Sequence, residues 1–243
     1  MAKIGSVGDG ISADNANWSF GGTVAETFDA HVGKSVPLYG EGHGLVCGLS
    51  DFFIKSDSLV YDLGCSTGSL TLALARHQSC KPTARYIGVD IEPDMVAKAE
   101  KKRAQLGLRN VSFVTDDASQ IDLQPCDLVV AYYTVQFVRP SRRQELIDRI
   151  YKALQWGGAL ILFEKVRGPD ARFQDIVTAM YSYDYKLKQG YDAEEIVSKA
   201  RSLKGIMEPF STQGNVDMLK RAGFQDIMTI MKFICFEGFV AIK

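Results

Sequence analysis

The chain of 243 residues contains no apolar run near the roughly 18 to 20 residues that a membrane helix needs, so a helical span is not expected. Charge of one sign is not in surplus either: Lys plus Arg is 28, Asp plus Glu is 29, and the formal net charge is -1 at pH 7. No global field would draw the chain to nucleic acid or to an anionic membrane, and a small or neutral partner is expected instead. Cysteine is sparse, odd in number at five (Cys47, Cys65, Cys80, Cys126, Cys235) and never arranged as a close pair. That spacing argues against a disulfide framework and against a zinc site, and predicts a reducing, cytoplasmic setting. The three histidines, His31, His43 and His77, have no clustered carboxylates beside them, so no catalytic metal is expected. Repeats, low-complexity tracts and long charge blocks are also missing. Residues 1–14 hold Gly, Ser and Asp but lack the apolar core of a signal peptide, and read as a loose N-terminal arm.

What is present is an alternation of short β-rich runs with helical stretches. Ser58 to Leu63, Arg85 to Asp90, Val111 to Thr115, Asp127 to Tyr132 and Ala159 to Glu164 each suit a strand buried on both faces. Glu92 to Leu106 carries acids and Pro93 at its start and Lys101, Lys102 and Arg103 at its end, matching the helix dipole. Pro140 opens a second helix to about Leu154, after which Gln155-Trp156-Gly157-Gly158 predicts a stop and turn. The order requires right-handed crossovers and a parallel sheet covered on both faces, as one α/β domain over residues 1–243. Gln225 to Phe233 and Ile234 to Ile242 predict a closing antiparallel pair, and residues 168–214 a helical insertion over the sheet edge.

Val60-Tyr61-Asp62-Leu63-Gly64-Cys65-Ser66-Thr67-Gly68 stands where the first strand enters the first helix. Gly64 and Gly68 permit close approach of backbone to a ligand at the mouth of the crevice, although a glycine pair there also fits a plain tight turn. Asp90 ends the second strand, where an acid accepts ribose hydroxyls. Thr115-Asp116-Asp117-Ala118 ends the third, where a carboxylate can take an adenine amino group or simply cap a turn.

These features together resemble the class I S-adenosylmethionine-dependent methyltransferases, whose Rossmann-like fold has a seven-stranded, mostly parallel sheet with an antiparallel terminal strand. A dinucleotide dehydrogenase fits less well, because Ser66 stands where a third close-spaced glycine would relieve a pyrophosphate. Trp18-Ser19-Phe20, Val24-Ala25-Glu26, Phe28, Ser35-Val36-Pro37, Tyr39, Gln136-Phe137 and Glu164-Lys165 are similar, more narrowly, to the carboxy-S-adenosylmethionine synthases, which transfer a carboxyl unit from prephenate onto the sulfonium methyl. The resemblance implies S-adenosylmethionine, or its carboxylated form, as cofactor. It also implies a lid over residues 15–45 and cofactor contacts at Tyr39, Asp62, Cys65 and Ser66. Further contacts are implied at Ile91, Met95, Ala118, Tyr132 and Gln136, beside Gly64, Gly68, Asp90 and Asp117.

Two departures bear on the reaction. The family pattern has an asparagine after strand four where this chain has Tyr132, and an arginine in the insertion that holds the carboxylate where the ungapped match is Ala200. Arg201 stands one step along, a rotation of about 100 degrees on a helix, and regains the role only if an upstream insertion resets the register. Tyr39, Tyr132, Tyr133, Tyr191 and Arg201 are the candidates to line the acceptor side, and His43 is a candidate base. The reading is a methyltransferase acting on a small acceptor, a carboxylate if Arg201 clamps it. Carboxy-S-adenosylmethionine synthesis and a non-catalytic cofactor-binding module remain rivals, and a homodimer stays open.

Overall fold

The structure, a computed structural model, describes residues 5–9 and 11–243. In chain order the elements are β1 (Gly5–Ser6), β2 (Ser12–Ala13), α1 (Thr23–Ser35), α2 (Tyr39–Ser50), β3 (Leu59–Leu63), α3 (Ser69–His77), β4 (Arg85–Asp90), α4 (Pro93–Leu106), β5 (Val111–Thr115) and β6 (Cys126–Tyr132). They continue with α5 (Pro140–Ala153), β7 (Leu154–Lys165), α6 (Ala171–Thr178), a π-helical stretch (Ala179–Tyr185), α7 (Lys186–Lys188), α8 (Ala193–Ser202), α9 (Thr212–Ala222), β8 (Asp226–Phe233) and β9 (Phe236–Ile242). The seven-stranded sheet has the order β5-β4-β3-β6-β7-β9-β8. Only β9 runs against its neighbours, pairing antiparallel with both β7 and β8.

This is the expected α/β sheet, and the sequence dictates it locally. Every residue of β3 is buried, as a strand covered on both faces requires. Pro93 sits in the first turn of α4, and Gly107 ends that helix in the left-handed region at φ 64°. Asp192 and Glu195 close a capping box on α8. Two apolar clusters fill the two sides of the sheet, and a third joins Val7, Ile11, Trp18, Val24, Ala25, Phe28 and Met95 under the N-terminal segment.

Three expectations need correction. The N-terminal stretch is not loose where it is described: Gly5 and Ser6 pair with Ala13 and Ser12, and Val7 and Ile11 are buried. The burial of two apolar side chains against Trp18 and Phe28 anchors a segment whose composition looked solvated; residues 1–4 and 10 lie outside the described residues. Gln155 to Gly158 do not break the chain before the fifth strand, because they lie within β7 across a register shift. Their backbone is satisfied by the chain terminus, Gly157 N donating to Lys243 O at 2.8 Å and Lys243 N to Gly158 O at 3.0 Å. The helical insertion does not cover the sheet edge: Gln174, Val177, Tyr181, Lys186, Ile196 and Lys199 face a cavity at the carboxyl ends of the strands.

The second helix shows how tightly the N-terminal segment is fitted onto the sheet. A Cβ at Gly42 of α2 would overlap the Tyr132 hydroxyl, whereas one at Gly44 would meet nothing within 4 Å. We expect Gly42→Ala to destabilise the fold by about 1 to 3 kcal/mol through overpacking. Gly44→Ala, on the exposed side of the same helix, should stabilise it by up to about 1 kcal/mol. Urea denaturation of the two variants checks the contrast, and equal effects would contradict the packing of α2 on Tyr132.

Candidate functional site

One cavity of about 900 Å³ opens at the carboxyl ends of the parallel strands. The strand order divides it. Gly64, Ser66, Asp90, Ile91, Asp117 and Ala118 line it from the ends of β3, β4 and β5, and Lys165 and Phe236 from the opposite side at β7 and β9. Helix α1 and the insertion roof it with Phe28, His31, Tyr181, Lys186 and Lys199.

On the first side, Gly64 turns the chain at φ 73°, where a Cβ would overlap Thr134. Ser66 follows in the left-handed region at φ 50°, a conformation that costs a serine energy and aims its N–H at Asp90. Asp90 Oδ2 accepts that N–H at 2.7 Å and Oδ1 accepts from Glu92 N at 3.0 Å. Burial raises the Asp90 carboxyl, against these backbone hydrogen bonds. Each oxygen retains a lone pair, so Asp90 both braces the glycine turn and can still accept hydroxyl donors from the cavity. Asp117 caps its own turn, accepting from Ser119 N at 2.8 Å and from Gln120 Nε2 at 2.9 Å, and also faces the cavity beside Ala118. The cap is thus formed, and the carboxylate also stands where it can meet a ligand. Ile91 and Met95 line the same wall.

Other anticipated contacts are set back from this cavity. Asp62, only 1 % exposed, takes the Thr71 hydroxyl on Oδ2 at 2.6 Å and leaves Oδ1 buried with no partner among the described residues. Burial chiefly pushes its carboxyl up to about 6. With Cys65 it lines a small side pocket that Gly64, Ser66, Tyr39 and Tyr132 share with the main cavity. An orphaned acid oxygen there suits a cationic donor such as an ammonium group. Gly68 lines neither space, since its missing side chain makes room for Phe113 and Ala99. Gln136 lines the cavity, but its amide is committed to backbone, Oε1 accepting from Lys165 N at 2.9 Å and Nε2 donating to Tyr133 O at 3.2 Å.

The tyrosines differ among themselves. Tyr132 donates to Tyr39 O at 2.8 Å, so its hydroxyl ties α2 to the sheet and is not free for an acceptor. Tyr133 stands in the left-handed region at φ 62°, a strained conformation for a bulky residue, and its buried hydroxyl has no partner among the described residues. The Tyr39 ring stacks on Tyr133 and packs against His43. Tyr191 bonds Ser35 and Asp9 and does not line the cavity. His43 is held neutral by burial, which lowers it to about 4, and it opens only on the side pocket.

Arg201 was a candidate to line the acceptor side if the register were reset, and the structure does not bring it to the cavity. It is exposed and lines no part of the cavity, whereas Lys199 and Ala200 on the same helix do. The insertion does not reset the register, and the rotation of about 100 degrees per residue carries the guanidinium away. Sequence reading missed the charge that is there. Lys165, Lys186 and Lys199 reach the cavity with no carboxylate paired to any of them among the described residues. Lys165 and Lys186 lie over the Tyr181 ring at 4.5 and 5.2 Å, and Lys199 over Trp18 at 3.2 Å. Burial lowers all three, Lys186 to about 8 and Lys199 to about 6. A lysine among apolar residues on a helix looks like a solvated face, and the aromatic rings that receive these three lie far off in sequence.

Replacing Asp90 with alanine should weaken S-adenosylmethionine binding by about 1.5 to 3 kcal/mol, the worth of a charge-assisted hydrogen bond. Calorimetry on the folded variant tests this, and unchanged affinity would remove Asp90 from the binding site.

Comparison with known proteins agrees with this geometry. Residues 60–158 match a family model described as a methyltransferase domain. The carboxy-S-adenosyl-L-methionine synthase of Campylobacter jejuni is 38% identical over 226 residues, covering 93% of this chain and 94% of its own. That of Staphylococcus epidermidis is 34% identical over 229 residues, covering 93% and 97%. Among solved structures, an O-methyltransferase family protein from Burkholderia thailandensis matches with a TM-score of 0.65 at 17% identity, over 90% of this chain and 59% of its own. Human N-acetylserotonin methyltransferase, solved with S-adenosylmethionine, matches at 0.58 and 18%, over 90% and 55%. The sheet order, the braced glycine turn and an identity of 38% along 93% of the chain together mean that this protein belongs to the carboxy-S-adenosyl-L-methionine synthase family of class I S-adenosylmethionine-dependent transferases.

Proposed function

We propose that the protein transfers the methyl group of S-adenosylmethionine to a small acceptor bearing a carboxylate. The observation that carries this reading is the set of three cavity lysines, Lys165, Lys186 and Lys199, with no carboxylate partner among the described residues, beside an alanine at position 200. When bound, S-adenosylmethionine supplies a methyl group already activated on sulfonium sulfur, so the protein contributes approach geometry and charge. Asp90, braced by the Ser66 N–H, Asp117 and the backbone at Gly64 and Ala118 would hold the nucleoside, and the bare Asp62 Oδ1 suits the amino group. Lys165 and Lys186 offer point charges to a carboxylate without the fixed fork of an arginine. The aromatic roof excludes water and strengthens that attraction.

Carboxyl transfer is the second reading, favoured by the identity of 38% to a named carboxy-S-adenosyl-L-methionine synthase. Lysines that hold one carboxylate would also suit a dicarboxylate donor such as prephenate. Incubation with S-adenosylmethionine and prephenate, followed by the mass of the recovered cofactor, separates the two. We expect unmodified cofactor; a cofactor heavier by one CO2 unit would replace the methyl-transfer reading with its rival.

Among the described residues no helix is long and apolar enough to cross a membrane. Five cysteines without a disulfide support a cytoplasmic home. Pairing of two copies is supported by the exposed Phe173, Ile176, Met180, Tyr183 and Leu187 on the insertion, which together offer an apolar surface. Sedimentation velocity should find a dimer that Ile176→Glu with Tyr183→Glu dissociates; a monomeric wild type would refute the pairing.

A further inference from the structure

Asp9, His31 and Lys199 form a chain of hydrogen bonds that ends on the cavity. His31 Nδ1 lies 2.7 Å from Asp9 Oδ2, and His31 Nε2 lies 2.8 Å from Lys199 Nζ. Both His31 and Lys199 line the cavity, and Asp9 receives further bonds from Lys34 and Tyr191. Burial works to raise the Asp9 carboxyl, but its bonds to Lys34 and His31 outweigh it and hold Asp9 ionised. An ionised carboxylate only accepts, so Nδ1 is the donor and carries the ring proton. Burial is the largest cause that lowers His31, to about 4, and it keeps the ring neutral. Its Nε2 is then a bare acceptor, and Lys199 must donate to it. One N–H of Lys199 is thereby spent on His31, another faces the Trp18 ring, and the remaining valence of the amine is left for the cavity.

We propose that Lys199 is the general base of the transfer, with the Asp9–His31 pair as its positioning residues, and that the acceptor nucleophile is a hydroxyl or amine that sheds a proton as it is methylated. The inference rests on the methyl-transfer reading of the cavity and assigns the class of acceptor. The acceptor O–H or N–H gives its proton to the Lys199 lone pair. The freed electron pair forms the bond to the methyl carbon, and the electrons of the broken carbon–sulfur bond stay on sulfur as a neutral thioether. No further reactant is required.

Burial, with like charge next, favours a free amine at Lys199 at neutral pH. Lys186 on α7 adds like charge, with Lys165 of β7 behind it, while Asp9 is the nearest acid and is shared with Lys34 and Tyr191. The Trp18 face favours the ammonium and opposes this shift. A desolvated lysine beside other cations is a recognised way to make a base at neutral pH. An acceptor carboxylate between Lys165 and Lys186 would offset their charge and bring the amine nearer the working pH, where a base is most effective.

Labelling with glyoxylate and cyanoborohydride, read by peptide mass spectrometry across pH, tests this without turnover. The aldehyde condenses with a free amine to an imine and water, and hydride reduces it to carboxymethyl-lysine. We expect Lys199 to label with a midpoint at least roughly two units below the value of about 10.4 for an ordinary lysine. Lys186→Met should raise that midpoint, and Lys186→Arg should keep it low. His31→Leu should slow labelling about tenfold through lost orientation, and His31→Gln should restore part of it. A Lys199 that labels no faster than the exposed Lys55, or titrates like it, would overturn the proposal. Calorimetry with S-adenosylmethionine on the same samples keeps the two readings apart: a low midpoint without cofactor binding defeats the methyl-transfer reading, whereas cofactor binding with an ordinary midpoint defeats the base.

Discussion

The hydrogen bond from the Tyr132 hydroxyl to the Tyr39 carbonyl joins the sheet to its roof, and the properties of the cavity depend on that roof. Tyr132 ends β6, and Tyr39 begins α2. The bond is made where Gly42 leaves room for the hydroxyl, and the ring below it packs on Phe163 with centroids 4.6 Å apart. A helix with four glycines in twelve residues, Gly40, Gly42, Gly44 and Gly48, has poor intrinsic stability, so this contact and its neighbours must hold it in place. Without α1 and α2, which bring His31 and Tyr39 to the cavity, that space would open to water, and the depressed basicity of its lysines would vanish with their desolvation.

A second brace serves the rim. Arg143 of α5 is almost fully buried and donates to three backbone carbonyls, Val138 O at 2.8 Å, Glu208 O at 2.6 Å and Gln136 O at 2.9 Å. Glu164, buried and raised well above its usual value chiefly by desolvation, feels the charge of Arg143 as its main compensation. The loop after β6 and the stretch before α9 are thus held by one guanidinium, whose five donors suit several carbonyls at once. The strained backbone of Tyr133 sits inside this frame, and a frame of that kind is what lets a costly conformation persist.

The sheet was legible because parallel strands write continuous apolar runs, and because Pro93 and Pro140 mark helix starts by local chemistry. The cavity wall at β3, β4 and β5 was legible for the same reason: Gly64, Asp90 and Asp117 line it at strand ends, where position in the chain fixes position in space. The opposite wall was not. Lys165, Lys186, Lys199, His31 and Trp18 come from β7, α7, α8, α1 and a loop, and nothing local marks them as neighbours. Arg201 attracted notice because it lies one step from the place where the resemblance implies an arginine, but a helix places residues by angle, and one step separates the cavity from solvent. The N-terminal segment misled for a related reason, since Val7 and Ile11 are too few to signal burial until the partners Trp18 and Phe28 are known.

An alanine where the resemblance implies an arginine clamp, beside three cavity lysines, bears on what the cavity can do. A guanidinium keeps its proton at any accessible pH, so a site built on it binds carboxylates by fixed, bidentate geometry and takes no part in proton transfer. A lysine amine is a point charge whose proton can be removed by desolvation and by like charge, and both act here on Lys186 and Lys199. The alanine at position 200 removes the fork, while Lys199 one step before it remains within the roof, on Trp18 and His31. Anion binding and proton acceptance can then be divided among separate groups, Lys165 and Lys186 for the first and Lys199 for the second. A divided site of this kind matches an acceptor that is both a carboxylate and a weak acid at its nucleophile, which a fixed guanidinium alone would bind but could not activate.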